Sequence, residues 1–337
     1  MTKVAAILFF ARFWHHVASI SSCGKSAHRI FAPFDIALSH SRKYNSIGCA
    51  TAMQKRGRNW RKSCLEMEPL DYGSGMDQNA MMETDELIAV DMSDRAVPGS
   101  SISKRKAHEF NNANPRGIAH RAFSVFIFNN KNELLVTQRA LSKITFPGVW
   151  TNSCCSHPLQ GMSPDEVDDG VKSFPDFPGV KHAAVRKLRH ELGIQSSEVP
   201  HSCFRFITKF HYWAADTITY GREAPWGEHE IDYVLFAKCE GDGPTLNINP
   251  DEVEDYKFVT AEELKKMMDD SSLLWSPWFI GIMENGGFEW WSDLDEALKA
   301  AGSRYCNRDI IFFDPPKEHM GSYNNPSHGR DTGVLTG

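Results

Sequence analysis

An α+β fold is predicted for residues 87–313, one catalytic domain in which a mixed β-sheet carries flanking helices. Three observations predict it: strand-like runs come first, one strong helical period sits in the middle, and more strands then give way to helices. No internal repeat is present. With 337 residues and 41% hydrophobic content the chain can bury a real core.

Order is expected to begin near Glu86, where residues 87–90 form a short strand running into the turn residues Asp91, Ser93 and Asp94. Residues 121–128 make a stronger strand. Phe123, Val125 and Ile127 share one face and Ala122, Ser124, Phe126 and Phe128 the other, so both faces read as buried. Residues 129–132 read as a hairpin loop and 134–138 as the returning strand. The Gly-, Pro- and Asp-rich stretch 160–179 reads as a loop. A helix is predicted over 181–192, because Val185, Leu188 and Leu192 fall at i, i+3 and i+7 while Lys187 and Glu191 share another face, with Gly193 as its C-terminal cap. Further strands are expected at 204–214 and 231–238. Residues 250–259 lead into a helix opened by the capping box Thr260-x-x-Glu263, and a helix over 293–301 is expected to close the domain.

Outside this body, residues 1–65 carry eleven Lys and Arg against Asp35 alone, a net +10; since the chain totals −6, the remainder holds −16. An acidic body argues against nucleic acid as partner. The apolar run 4–10 ends at Arg12 and the His15-His16 pair, well short of the roughly twenty residues a membrane span needs. The basic, Ser-containing leader 1–65 instead predicts a cleavable targeting peptide for a plastid or mitochondrion; a cytoplasmic protein with a basic extension is the alternative. Residues 66–86 read as an acidic linker and 314–337 as a disordered tail. The eight cysteines (23, 49, 64, 154, 155, 203, 239 and 306) form no Cys-x-x-Cys pair, which fits free thiols in a reducing compartment. A monomer is expected.

Candidate chemistry starts at residues 145–158, Thr-Phe-Pro-Gly-Val-Trp-Thr-Asn-Ser-Cys-Cys-Ser-His-Pro. Extended backbone would project Cys155 and His157 to one side and Cys154 and Ser156 to the other. Alone, this triplet reads as a buried thiol beside a satisfied core histidine. Two further groupings change the balance. Glu228 and Glu230, at i and i+2, run straight into the apolar strand 231–238, and acids entering a core need a metal or a partner. With His108, His120 and His157 they could form an N3O2 set, suited to Zn²⁺, Mn²⁺ or Mg²⁺ rather than to a thiolate structural zinc site.

The other grouping, Arg186-Lys187-Leu188-Arg189-His190-Glu191-Leu192-Gly193-Ile194, resembles the tail of the Nudix box, whose carboxylates hold Mg²⁺ against a diphosphate. Lys187 and His190 stand where two of its acids belong, leaving Glu191. One carboxylate is poorly equipped for multi-metal activation of water on phosphorus, but it could hold a single Mg²⁺ that bridges to a diphosphate.

With both groupings in view, residues 87–313 resemble the type I isopentenyl-diphosphate isomerases, metal-dependent enzymes of the Nudix fold superfamily. The matching segments are Ala119-His-Arg-Ala-Phe-Ser-Val-Phe126, Lys143-Ile-Thr-Phe-Pro-Gly148, Thr151-Asn-Ser-Cys-Cys-Ser-His-Pro-Leu159, Glu191-Leu-Gly-Ile194, Trp226-Gly-Glu-His-Glu-Ile-Asp-Tyr233 and Trp275-Ser-Pro-Trp278. The resemblance implies a Nudix-type fold and interconversion of isopentenyl and dimethylallyl diphosphate by protonation and deprotonation. It implies Cys155 and Glu230 as the catalytic pair, with Tyr212 and Trp278 lining the pocket. It further implies His108, His120, His157, Glu228 and Glu230 as ligands of one divalent ion, Glu191 as the Mg²⁺ carboxylate, and Lys104, Arg139, Lys143 and Lys187 as cations around the diphosphate. The rival readings are a Nudix hydrolase of a diphosphate and a non-catalytic diphosphate- or metal-binding module.

Overall fold

The computed structural model describes Tyr72, Gly73 and residues 75–321; the leader 1–65 and the tail beyond 321 lie outside the described residues. The first element, α1 (Gln78–Thr84), corrects the linker reading of 66–86. Asp77 caps it, accepting from the Ala80 N–H, and Met81 and Met82 bury their side chains. A Met-rich segment with no visible period was a packed helix two turns long.

Strands β1 (Glu86–Val90) and β2 (Ala96–Ser103) form an antiparallel pair, followed by a single helical turn, α2 (Lys104–His108). The central strand is β3 (His120–Phe128), buried throughout as its two apolar faces predicted. It pairs with β4 (Leu134–Arg139) through the expected hairpin, and with the short β6 (Cys154–Ser156), which follows β5 (Trp150–Thr151). The long strands β7 (Arg205–Ala215) and β8 (Gly227–Lys238), with the one-turn helix α4 (Thr217–Tyr220) between them, complete the middle of the sheet, with β8 parallel to β3 and antiparallel to β7. After β9 (Val253–Val259), which pairs with β4, comes α5 (Ala261–Asp269), opened by the predicted Thr260/Glu263 capping box.

Helix α3 spans Pro178–Leu192, three residues longer than its period suggested. Pro178 and Gly179 read as loop residues, yet Pro at the first helical position sacrifices no hydrogen bond. The cap comes from a distance, as Asp168 accepts from the Gly179 and Val180 N–H groups. At the other end Gly193 has φ 70°, and a Cβ there would meet the Asn247 carbonyl oxygen at 2.6 Å, so only glycine closes the helix in this way.

The C-terminal region departs most from expectation. In place of one helix over 293–301 the chain forms α6 (Pro277–Ile282), a π-turn at 283–287, α7 (Phe288–Ser292) and a one-turn α8 (Leu294–Ala297). Gly286, at φ 137°, breaks the helical course inside the π-turn. The chain then adds a strand, β10 (Ile310–Phe312), parallel to β7. Residues 317–320 form a helical turn with His319 buried, so the expected disorder does not begin at 314.

The sheet order β10-β7-β8-β3-β1-β2 mixes parallel and antiparallel pairs, and each face has its own core. On one side Phe123, Val125, Ile127, Tyr233 and Leu235 pack against Val180, Ala184 and Leu188 of α3. On the other, Phe126, Phe128, Phe210 and Phe236 pack against Phe279, Trp290 and Trp291. Residues of even number in β3 and β8, and in β7 beyond its bulge at 206–209, face this second side, and they carry the site. No helix among the described residues is long and apolar enough to cross a membrane.

Candidate active site

Strand register builds the centre. Glu230 of β8 is paired with His120 on β3 to one side and with Tyr212 on β7 to the other. Glu228 and Glu230 are the second and fourth residues of β8, where the strand begins, and share its even-numbered face. His157 follows β6, and His108 is the last residue of α2. Ligand atoms of His108, His120, His157, Glu228 and Glu230 all lie within 4.8 Å of one another, and all five residues are buried.

The donor set fits a divalent ion. His108 Nδ1 is 2.7 Å from the Lys104 carbonyl oxygen and His120 Nδ1 is 2.7 Å from that of Ile118. A carbonyl only accepts, so each Nδ1 donates and each ring turns its Nε2 inward. There His108 Nε2 meets Glu228 Oε2 at 2.8 Å with no hydrogen bond between them, and His120 Nε2 is equally unpartnered. Buried imidazole nitrogens and carboxylate oxygens that converge without hydrogen-bond partners call for a cation. His157 is held neutral by burial and by the neighbouring His120 and His108 rings, which push its pKa well below the ordinary value.

Beside this centre lies a pocket lined by Cys155, Tyr212, Glu230 and Trp278, with Lys104, Arg139 and Lys143 on its walls. The expected alternation along β6 holds. Cys155 faces the pocket, whereas Cys154 turns to α3, where its Sγ is 3.4 Å from Glu191 Oε2. Burial pushes the Cys155 thiol up to about 12 even though Arg139 opposes the shift, so it stays protonated at neutral pH. Glu230 behaves oppositely: burial alone would raise its pKa, but His120 and Tyr212 hold the carboxyl below the usual carboxylate range. Its two oxygens are divided, Oε1 lying 2.9 Å from His157 Nε2 and Oε2 accepting from the Tyr212 hydroxyl.

The predicted cations separate into two groups. Lys104 and His108 stand one turn apart on α2, so a single short helix delivers one diphosphate candidate and one ligand candidate. Arg139 donates through Nε and Nη2 to the Phe146 and Thr145 carbonyls, and its Nη1 lies 3.8 Å from Cys155 Sγ. Lys187 is not on the pocket wall. It is buried in α3, its Nζ 3.1 Å from Glu191 Oε1 and 3.8 Å from Glu252 Oε1. Glu191 lies apart from the five-residue centre, with its Oε1 3.1 Å from Lys187 Nζ and its Oε2 3.4 Å from Cys154 Sγ.

Two residues of the site escaped the sequence reading. Glu252, fully buried, pairs with Lys143 and faces Lys187 and His190; those ammonium groups hold its carboxyl well below the usual range against the effect of burial. Nothing in Asn249-Pro-Asp-Glu252 distinguishes it in sequence from a surface acid, because its partners lie far away in the chain. Asn152, wholly buried, accepts from Trp278 Nε1. Its only sequence signal was its place inside the quoted segment 151–159.

A NUDIX domain family model matches residues 118–279, so fold and site define a Nudix domain with a buried His/Glu centre. The chain is 47% identical over 239 residues to an isopentenyl-diphosphate delta-isomerase of Gibberella zeae, covering 71% of this chain and 87% of that one. It is 46% identical over 235 residues to that of Schizosaccharomyces pombe, covering 69% and 94%. A chloroplastic isopentenyl-diphosphate delta-isomerase of Arabidopsis thaliana is 40% identical over 230 residues, covering 66% and 75%. The chain belongs to the isopentenyl-diphosphate delta-isomerase family.

Proposed function

We propose that this protein interconverts isopentenyl and dimethylallyl diphosphate in isoprenoid biosynthesis. The observation that carries the reading is the meeting of the Cys155 thiol and the Glu230 carboxylate on the walls of one pocket, where burial favours the protonated thiol and the neighbouring groups favour the ionised carboxylate. The reaction adds a proton to one end of an allylic system and removes one from the other, so a proton-loaded group and an unloaded one must both reach the substrate. Glu230 exchanges protons through Oε2 with Tyr212, which orients or relays them. The ring face of Trp278 stabilises the cationic carbon formed between the two transfers, an interaction of about 2 kcal/mol in a dry site.

Lys104, Arg139 and Lys143 grip the diphosphate, and Lys187, held behind them by Glu191 and Glu252, adds positive field. A divalent ion, Zn²⁺, Mn²⁺ or Mg²⁺, held by His108, His120, His157, Glu228 and Glu230 would supply the positive charge that keeps Glu230 ionised and fixes its orientation. Glu191, whose oxygens lie against Lys187 and Cys154, would be the carboxylate that holds Mg²⁺ at the diphosphate. The ammonium of Lys187 beside Glu191, where a hydrolytic site would gather acids, also speaks against the hydrolase. Basic residues 1–65 are proposed to direct the chain to a plastid or mitochondrion, which a fluorescent fusion of that segment would test.

The deciding assay supplies isopentenyl diphosphate and a divalent ion and follows dimethylallyl diphosphate and free phosphate together. Isomer without phosphate is the expected result. Phosphate without isomer would replace the reading with a hydrolase, and neither product from folded, metal-loaded protein would leave a binding module.

A further inference from the structure

The structure assigns to Asn152 a positioning role: its side-chain amide locks the Trp278 indole against the segment that carries Cys155. The inference rests on the isomerase reading above, in which the Trp278 ring faces the developing cation.

Asn152 lies between β5 and β6 with no exposed surface. Its Nδ2 donates to the Val125 carbonyl at 3.1 Å and to the Cys154 carbonyl at 2.8 Å. Its Oδ1 accepts from Trp278 Nε1 at 3.3 Å and from Thr151 Oγ1 at 2.9 Å. These partners fix which way the amide points. Turned over, it would set oxygen against two carbonyls and nitrogen against the indole N–H, leaving buried groups unpaired on both sides. One planar group therefore ties the backbone immediately before Cys155 to the edge of the Trp278 ring.

That tie matters because packing alone leaves an indole a second choice. A half-turn about its Cβ–Cγ axis keeps much of the same volume filled but moves Nε1 to the other side. The ring touches Phe146 edge-on at 5.5 Å between centroids, Tyr212 at 6.0 Å, and the Arg139 guanidinium 5.5 Å from its centre. None of these contacts distinguishes the two orientations by a hydrogen bond. Asn152 does. Thr151 Oγ1, also 2.9 Å from Ser276 Oγ at the cap of α6, extends the tie to the start of the helix that carries Trp278. Cation–π attraction depends on the charge lying over the ring face, and proton transfer from Cys155 depends on reach, so a shift between the two groups should act on the cationic state more than on substrate binding.

The test compares two diphosphates of similar shape, one with a saturated uncharged tail and one with a tertiary ammonium nitrogen where the cationic carbon would form. Asn152→Ala should weaken the ammonium compound about tenfold while changing the uncharged one less than about twofold. In a Trp278→Phe background, which lacks the indole N–H, Asn152→Ala should add less than about twofold. Equal weakening of both ligands, no weakening of either, or a full additional loss in the Trp278→Phe background would overturn the inference. Trp278→Leu separates it from its premise: if that variant binds the ammonium compound as well as the native protein does, the cation-facing reading of Trp278 fails, whatever Asn152 does. Should Asn152→Ala not fold, Asn152→Ser, too short to reach the indole, is read in the same way.

Discussion

The Tyr212 hydroxyl donates to Oε2 of Glu230, and the antiparallel register of β7 and β8 places the two residues directly opposite each other. This bond hands one oxygen of the carboxylate to a proton-bearing partner while the other faces His157. Burial and the neighbouring Glu230 charge raise the phenol well above its ordinary pKa, so it acts as a donor and not as a phenolate. Tyr212→Phe should lower kcat roughly 10²-fold and move KM by no more than about threefold, since the bond serves proton transfer and not diphosphate grip. A KM effect as large as the kcat effect would place Tyr212 in substrate binding instead.

Cys155→Ala and Glu230→Gln should each abolish nearly all turnover while inorganic pyrophosphate still binds, as calorimetry would measure. Neither side chain contributes a positive charge to the pocket. Full turnover in both variants would remove them from the mechanism. A variant that keeps exchange of substrate hydrogens with solvent deuterium but forms no product would identify which of the two acts first.

The five-residue centre makes a prediction independent of activity. Native protein should retain about one divalent ion per chain after extensive dialysis, and His120→Asn or Glu228→Gln should retain far less. Removal of the ion by a chelator should lower the melting temperature, because a ligand present at a thousandfold excess over its Kd contributes about 4 kcal/mol to the folded state. A native chain that holds no ion, with a melting temperature indifferent to chelator, would mean that the converging lone pairs are satisfied by a proton.

Much of this site was legible because strand periodicity carries it. Cys155 and His157, like Glu228 and Glu230, sit at i and i+2 on extended chain, and the sequence rule for facing holds in the structure. The buried strand 121–128 was visible from its unbroken apolar run. What stayed hidden depends on contacts distant in the chain. Helix α1 has too few turns to show a period, α6 to α8 are interrupted by the Gly286 conformation, and α2 is a single turn whose apolar content is one alanine. Glu252 could not be told from a surface acid, because only packing brings Lys143 and α3 to it.

Lys104 gives a pH dependence of definite sign. Burial lowers its pKa from 10.5 to about 8, with Lys143 adding to the shift, so in the ligand-free protein it loses its proton in mildly alkaline solution. The protonated form grips the diphosphate, hence kcat/KM should fall as pH rises through about 8. The limb should be weaker in kcat, since a bound diphosphate restores the proton. Stability moves the other way: between about 8 and 10.5 the unfolded chain holds the extra proton, so the cost of burying this ammonium fades as pH rises across that window. Lys104→Met should remove the alkaline limb. Cys155, at about 12, cannot produce it. A limb that persists in the variant would assign it to another group.

Glu252 sets up a competition. Its carboxylate pairs with Lys143, a pocket cation, and faces Lys187, while Gln78 Nε2 donates to it at 3.0 Å from α1. A diphosphate that takes Lys143 must share it with this buried anion. Glu252→Gln removes the anion and leaves two ammonium groups confronting each other, a change that in buried ion pairs costs about 3–5 kcal/mol. The loss falls on the ligand-free state, because a bound diphosphate returns negative charge to the same place. Two outcomes are therefore expected together: a lower melting temperature for the free variant, and tighter binding of inorganic pyrophosphate, by roughly tenfold if a third to a half of that cost is recovered. Thermal scans with and without pyrophosphate would read both, since the variant should gain more degrees from the ligand than the native chain does. If the melting temperature falls and pyrophosphate also binds more weakly, Glu252 holds Lys143 in its binding position and does not compete for it.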